Sequence, residues 1–269
     1  LFSLITVGYS ANALGGAGGP LAVLIIAIVA AELGKAVSKE TKVDILVTPL
    51  VTIFAGVGLS MLIAAPIGAA ASQVGTLIMW ATEQAPLVMG ILVSVIVGVA
   101  LTLPISSAAI CAALGLTGLA GGAAVAGCCA QMVGFAVMSY KENGVGGLVS
   151  QGLGTSMLQM GNIIKNPRIW IAPTLASAIT GPLATCLFHF EMNGAAVSSG
   201  MGTCGLVGQI GVYTGWVSDI AAGTKAAITP MDWAAMVLLC FVLPAVLSVV
   251  FCAVERKLGW IKEGDLKLN

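Results

Sequence analysis

Between Asp232 and Glu255 the chain runs for 22 residues without a charged side chain, W-A-A-M-V-L-L-C-F-V-L-P-A-V-L-S-V-V-F-C-A-V. At about 1.5 Å per residue an α-helix needs roughly 20 such residues to cross a hydrocarbon core of about 30 Å. A second run, I-W-I-A-P-T-L-A-S-A-I-T-G-P-L-A-T-C-L-F over 169–188, is nearly as long and is punctuated by Pro173 and Pro182. Proline inside a spanning helix is tolerated where neighbouring helices satisfy the freed backbone groups. Runs of this length leave few alternatives to a chain folded in lipid.

Charge supports that conclusion. Only 8% of the residues are charged, against roughly 25% in soluble domains, so lipid must solvate most of the surface. Short alternating segments of about ten residues, the mark of a membrane barrel, do not dominate. The expected fold is therefore all-α: a polytopic transmembrane helical bundle treated as a single transmembrane domain over 1–269. The formal net charge is zero, and no nucleic-acid partner is expected. The seven cysteines include no C-x-x-C pair and read as reduced small hydrophobes; no metal and no cofactor is expected. The opening Leu1 lies in apolar, glycine-rich sequence without a charged lead-in, which suggests that an N-terminal portion precedes it.

Further spans are expected over 17–36, after the glycine run 14–20, over 45–71, with Pro49 and Pro66, and over 86–103. The mixed stretch 72–85, with Trp80 and Glu83, reads as an interfacial amphipathic helix. The Ala/Gly-rich stretch 105–122 is a candidate re-entrant piece before a span ending near Tyr140. Basic residues cluster at 35–42, 141–168 and 256–267. The positive-inside rule places all three in the cytoplasm, including a cytoplasmic tail over 256–269. Glu32 is expected to answer Lys35 three residues on. Glu142 beside Lys141 reads as a solvated loop charge, and Asn162, Lys165 and Asn166 before Pro167 as an interfacial turn.

Two polar stretches interrupt the apolar sequence, and they share a design. Residues 142–159 read E-N-G-V-G-G-L-V-S-Q-G-L-G-T-S-M-L-Q; residues 187–211 read L-F-H-F-E-M-N-G-A-A-V-S-S-G-M-G-T-C-G-L-V-G-Q-I-G. Each runs Glu, Asn-Gly, a spacer with serine, then Gly-x-Gly-Thr-[Ser/Cys]-x-Leu. Backbone that leaves a helix at membrane depth is tolerated where it is buried in protein or lines a wet cavity. Transporters use paired broken segments of this kind to bind solute. The stretches are therefore expected to be re-entrant hairpins forming an internal repeat, with solute between them. Asn143, Thr155 and Gln159 are the candidate contacts of the first; Glu191, His189, Asn193 and Thr203 are those of the second. Asparagine offers both a donor and an acceptor to a sugar hydroxyl. A carboxylate beside a span is costly unless paired or wet, which marks Glu191. His189 is the only histidine in the chain.

The segments K-E-N-G-V-G-G-L-V-S-Q-G-L-G-T-S-M-L-Q, N-I-I-K-N-P-R-I-W-I-A-P-T-L-A-S-A-I-T-G-P-L-A-T and G-M-G-T-C-G-L-V-G-Q resemble the EIIC-type membrane permeases of the bacterial phosphotransferase system, in the branch that includes a clostridial toxin-regulator membrane protein. The likeness is good over about 140–216 and looser elsewhere. It implies a multi-pass protein of the bacterial inner membrane, often dimeric, that binds a sugar in a cavity formed partly by re-entrant hairpins. A histidine and a glutamate near such hairpins contact the sugar in related permeases, which maps onto His189 and Glu191. No phosphocarrier segment with a reactive Cys or His is recognisable in this chain, so phosphorylation would need separate phosphocarrier proteins. A ligand-sensing membrane regulator and a secondary transporter or channel for a small anion are the alternative functions.

Overall fold

The structure, a computed structural model, describes residues 19–38 and 44–268. Most of the glycine run over 14–20, and Lys39, Glu40 and Lys42 of the first basic cluster, lie outside the described residues. Among those described, every regular element is helical, and the one extended pairing is an isolated antiparallel bridge between Gly118 and Met192. The all-α expectation holds. Four helical stretches are long and apolar enough to span a membrane: Leu46–Ile63, Gly118–Met138, Pro167–Leu187 and Pro230–Lys257. The two runs that opened the sequence argument are the last two of these. The helix Pro86–Thr102 is apolar and slightly shorter.

Two compact units are present. The first comprises residues up to Thr76 together with Ala112–Leu114. It contains α1 (Gly19–Val37) and most of α2 (Asp44–Gln84). Ile26 and Ala30 of α1 are buried against Leu59, Ile63 and Ile67 of α2. Glu32 and Lys35 lie 3.8 Å apart on an exposed face, one helical turn from each other. Hydroxyls within α2 bond back to the preceding turn, Thr52 to the Thr48 carbonyl and Ser60 to that of Gly56, both at 2.8 Å. Each is thereby satisfied without a partner from elsewhere.

The stretch 72–85 departs from expectation. It is not a separate interfacial helix but continues α2 to Gln84. No proline interrupts it until Pro86, and proline disfavours helical backbone at the residue before it. Ala85 accordingly leaves the helix at φ −134°, ψ 66°.

The second unit is built around α5 (Gly118–Met138), which packs against α3 (Pro86–Thr102), α8 (Ile171–Pro182) and α11 (Leu243–Lys257). α5 is Gly- and Ala-rich, which lets backbones meet by van der Waals contact where hydrophobic burial gives no drive. A Cβ placed on Gly127 would stand 2.0 Å from the Ser94 carbonyl oxygen of α3, so only glycine permits that crossing. The middle of α5 carries fully buried Gln131. Its Oε1 accepts from Trp170 Nε1 at 3.0 Å and from Thr102 Oγ1 at 3.4 Å. Its Nε2 donates to Thr174 and Ser177 at 3.3 and 3.4 Å. One amide thus ties three segments of the unit, and its burial is tolerable because its polar atoms are partnered. The seven cysteines are free; four are fully buried and Cys186 is exposed.

Candidate functional site

The second glycine-rich stretch begins where α8 loosens. A single π-type turn, Leu183–Leu187, follows Pro182, and the helix stops at Phe188. His189 then takes a left-handed conformation, φ +44°, at a cost of roughly 1–2 kcal/mol for a residue with a Cβ. The next residues run extended. Phe190 N–H donates back to the Ala184 carbonyl at 2.8 Å, and Met192 exchanges both main-chain bonds with Gly118 at 3.0 Å. The strand-like alternation sends successive side chains to opposite sides. Phe190 and Met192 are buried in a cluster with Val125, Cys129, Val212 and Trp216. His189, Glu191 and Asn193 line an adjacent cavity, to which Phe190 and Trp216 also contribute. The segment lies so close to α5 that a Cβ on Gly122 would stand 1.6 Å from the Phe190 carbonyl oxygen.

The cavity has a volume of about 590 Å³. α9 (Val207–Ala221) contributes Trp216 and Asp219, which its helical spacing of three places on one face. The loop after it brings Thr224 and Lys225, and α10 (Pro230–Val237) brings Asp232 at its first turn. Asn193 Nδ2 donates to Glu191 Oε2 at 3.1 Å and to Asp219 Oδ2 at 2.9 Å. Both protons of the amide are thereby committed, and it holds two carboxylates on one wall. Opposite, Lys225 Nζ bonds Asp232 Oδ1 at 2.8 Å and stands 5.5 Å from the centre of the Trp216 ring. Asp232 is fixed by a capping box with Thr229, an arrangement legible in the run Thr229-Pro-Met-Asp. The wall therefore offers carboxylate acceptors, an ammonium and an imidazole, beside the apolar side chains of Phe188 and Met231. That mixture suits a polar solute with several hydroxyls and one less polar face.

Three of the seven expected contacts, His189, Glu191 and Asn193, come together here. The other four have protein partners elsewhere. Thr203 is fully buried, and its hydroxyl donates to the Gly152 carbonyl and lies 3.6 Å from Met132 Sδ. This bond joins the two glycine-rich stretches directly. Thr155 accepts from Met157 N–H at 3.2 Å and starts the short helix Ser156–Gln159. Asn143 and Gln159 both donate to the main-chain carbonyl of Leu266, at 2.8 and 2.9 Å. Glu142 is not a solvated loop charge. It accepts from Arg256 Nη2 at 3.0 Å and from the N–H groups of Gly264 and Leu266 at 3.3 and 2.9 Å. Asn162 and Asn166 likewise hold the carbonyls of Lys267 and Trp260, each at 2.9 Å.

Sequence reasoning did not single out Trp216, Asp219, Lys225 or Asp232 as site residues. The usable signal was the Trp216/Asp219 spacing on one helical face, within a segment next to the glycine-rich stretch.

Residues 3–268 match the family model described as Phosphotransferase system, EIIC. Comparison with curated proteins and with solved structures returns no significant match.

Proposed function

Because the chain belongs to the EIIC family of the phosphotransferase system, whose members are sugar-transport membrane permeases, we propose that the cavity beside residues 188–193 is its solute site. Glu191 and His189 contact the solute, and Asn193 does so through its remaining acceptor while holding Glu191 and Asp219 in register. Phe188 and Met231, which also line the cavity, supply its less polar side. The observation that carries this reading is the convergence of polar side chains from four separate segments on one cavity. The carboxylates of Glu191, Asp219 and Asp232 line it with one ammonium, Lys225, paired to Asp232, which favours a neutral, hydroxyl-rich solute over a small anion.

In this reading the protein is a multi-pass component of the bacterial inner membrane, a single transmembrane domain acting as a homodimer, with 256–269 on the cytoplasmic side. Phosphoryl transfer comes from separate phosphocarrier proteins. What the chain's own residues do is bind and orient: a sugar hydroxyl donating to the Glu191 carboxylate becomes a better nucleophile as that carboxylate draws on its proton. The reading is tested by uptake of radiolabelled hexoses and hexitols into vesicles holding the full chain. Uptake that requires added phosphocarrier supports it. Uptake driven by an ion gradient alone, or solute binding without any uptake, overturns it.

A further inference from the structure

The polar side chains of 142–166 are not idle: they bind a peptide. We propose that this first glycine-rich region carries a preformed amide-binding groove whose resident ligand is the chain's own segment 260–268, and that the segment detaches and reseats as one unit. Seated, it withholds Asn143 and Gln159 from any other ligand.

The peptide group of Leu266 is held as a bound amide would be. Its N–H donates to Glu142 Oε2 at 2.9 Å, and its carbonyl accepts from Asn143 at 2.8 Å and Gln159 at 2.9 Å. Leu268 N–H donates to Asn143 Oδ1 at 2.8 Å. Asn143 therefore reads both a donor and an acceptor of the segment, as a side-chain amide does when it stands in for a neighbouring strand. The Leu266 side chain is fully buried among Phe135, Met138, Ile163 and Ile169, so the groove has an apolar socket beneath its polar rim.

The Gln159 side of the groove does not need the segment to be assembled, whereas both side-chain bonds of Asn143 are to the segment. Gln159 is fully buried and is held by its own region: its Nε2 also donates to Gln151 Oε1 at 2.9 Å, and its Oε1 accepts from Asn162 at 2.8 Å. Gln151 in turn donates to Ser139 Oγ at 2.7 Å and to the Gly147 carbonyl at 3.0 Å. These bonds remain when Leu266 leaves. The segment, by contrast, has little structure of its own. Its internal main-chain bonds are single turns, Asp265 N–H to Lys262 and Lys267 N–H to Gly264. A receptor whose Gln159 side is held by its own bonds and a ligand without a helix or strand of its own favour local opening. The Arg256–Glu142 ion pair, with side chains only 24% and 10% exposed, holds the end of α11 that leads into the segment.

The groove and its peptide are independent of the functional reading above, and two measurements test them. In the first, hydrogen–deuterium exchange is followed on the full chain in nanodiscs. The amides of Gly264, Leu266 and Leu268 should exchange together, about 100-fold faster than those of α5. Exchange at the α5 rate, or at three unrelated rates, overturns the proposal. In the second, a fluorescent peptide of the sequence 259–268 is titrated onto wild type and onto Leu266→Asp, whose own segment is displaced. Saturable binding to the variant, roughly tenfold tighter than to wild type, supports the groove. Equal binding to both, or none to a variant that keeps α5 protection, overturns it. Should Leu266→Asp fail to fold, the exchange pattern of the wild type decides.

Discussion

The two glycine-rich stretches are written alike and used differently. In 187–211, extended backbone alternates: Phe190 and Met192 go to the core, and His189, Glu191 and Asn193 to a cavity. In 142–159, the corresponding acid and amide, Glu142 and Asn143, are bound by residues 264–268. Even the matched threonines diverge. Thr155 starts a short helix, whereas Thr203 is buried and donates across to Gly152. A Glu, Asn-Gly and Gly-x-Gly-Thr pattern supplies polar groups that a membrane chain must satisfy. Which partner satisfies them is decided by what the rest of the chain brings alongside: α9 and α10 for one stretch, the closing segment for the other.

Substitutions should separate the two uses. The largest effect is expected at Gly122, where the Phe190 carbonyl oxygen leaves no room for a Cβ. Gly122→Val should destabilise the protein by about 3 kcal/mol or more, read as a lowered melting temperature and lost monodispersity, and uptake should disappear with it. Next comes Leu266→Ala, which empties a fully buried socket. A loss of about 2–4 kcal/mol is expected, and it should appear in thermal unfolding whatever solute is supplied. If Leu266→Ala melts like wild type, the closing segment does not belong to the folded unit and the contrast between the stretches fails.

Much of the architecture was legible because it is written in contiguous residues. The spans 169–188 and 230–254 are runs of apolar side chains, and the Thr229–Asp232 cap is a local motif. Misreadings arose where local signals mislead. Trp80 and Glu83 give 72–85 an interfacial look, yet backbone continuity carries α2 to the proline at 86. Glu142 beside Lys141 looks solvated, but its partner is Arg256, 114 residues on. The cavity was half legible: a carboxylate and an imidazole beside a span flagged Glu191 and His189. Asp219, Lys225 and Asp232 reach them only through the packing of α9 and α10, which no spacing within 187–211 encodes. Asn143 and Gln159 carried the right chemistry for binding, but sequence did not say that the ligand in place would be this chain's own backbone.

Smaller effects sharpen the picture. Asn143→Ala removes two bonds to main chain and should cost about 1–2 kcal/mol of stability, while Asn193→Ala, whose partners are cavity carboxylates, should cost less in melting and more in uptake. Lys225→Met breaks a part-exposed pair with Asp232. It should lower stability by no more than about 1 kcal/mol and reduce uptake severalfold, since Asp232 keeps its cap with Thr229.

The central claim, that the second stretch faces the solute, is met most directly by Glu191→Gln. This change preserves shape and the acceptor to Asn193 but removes the charge. Phosphocarrier-dependent uptake of the best hexose or hexitol, measured beside the melting temperature of the same preparation, is the test. The account predicts uptake reduced by roughly 10- to 150-fold, equivalent to losing a charged hydrogen bond of about 1.5–3 kcal/mol, with melting unchanged. Uptake at the wild-type rate from a protein that melts as wild type does would contradict it.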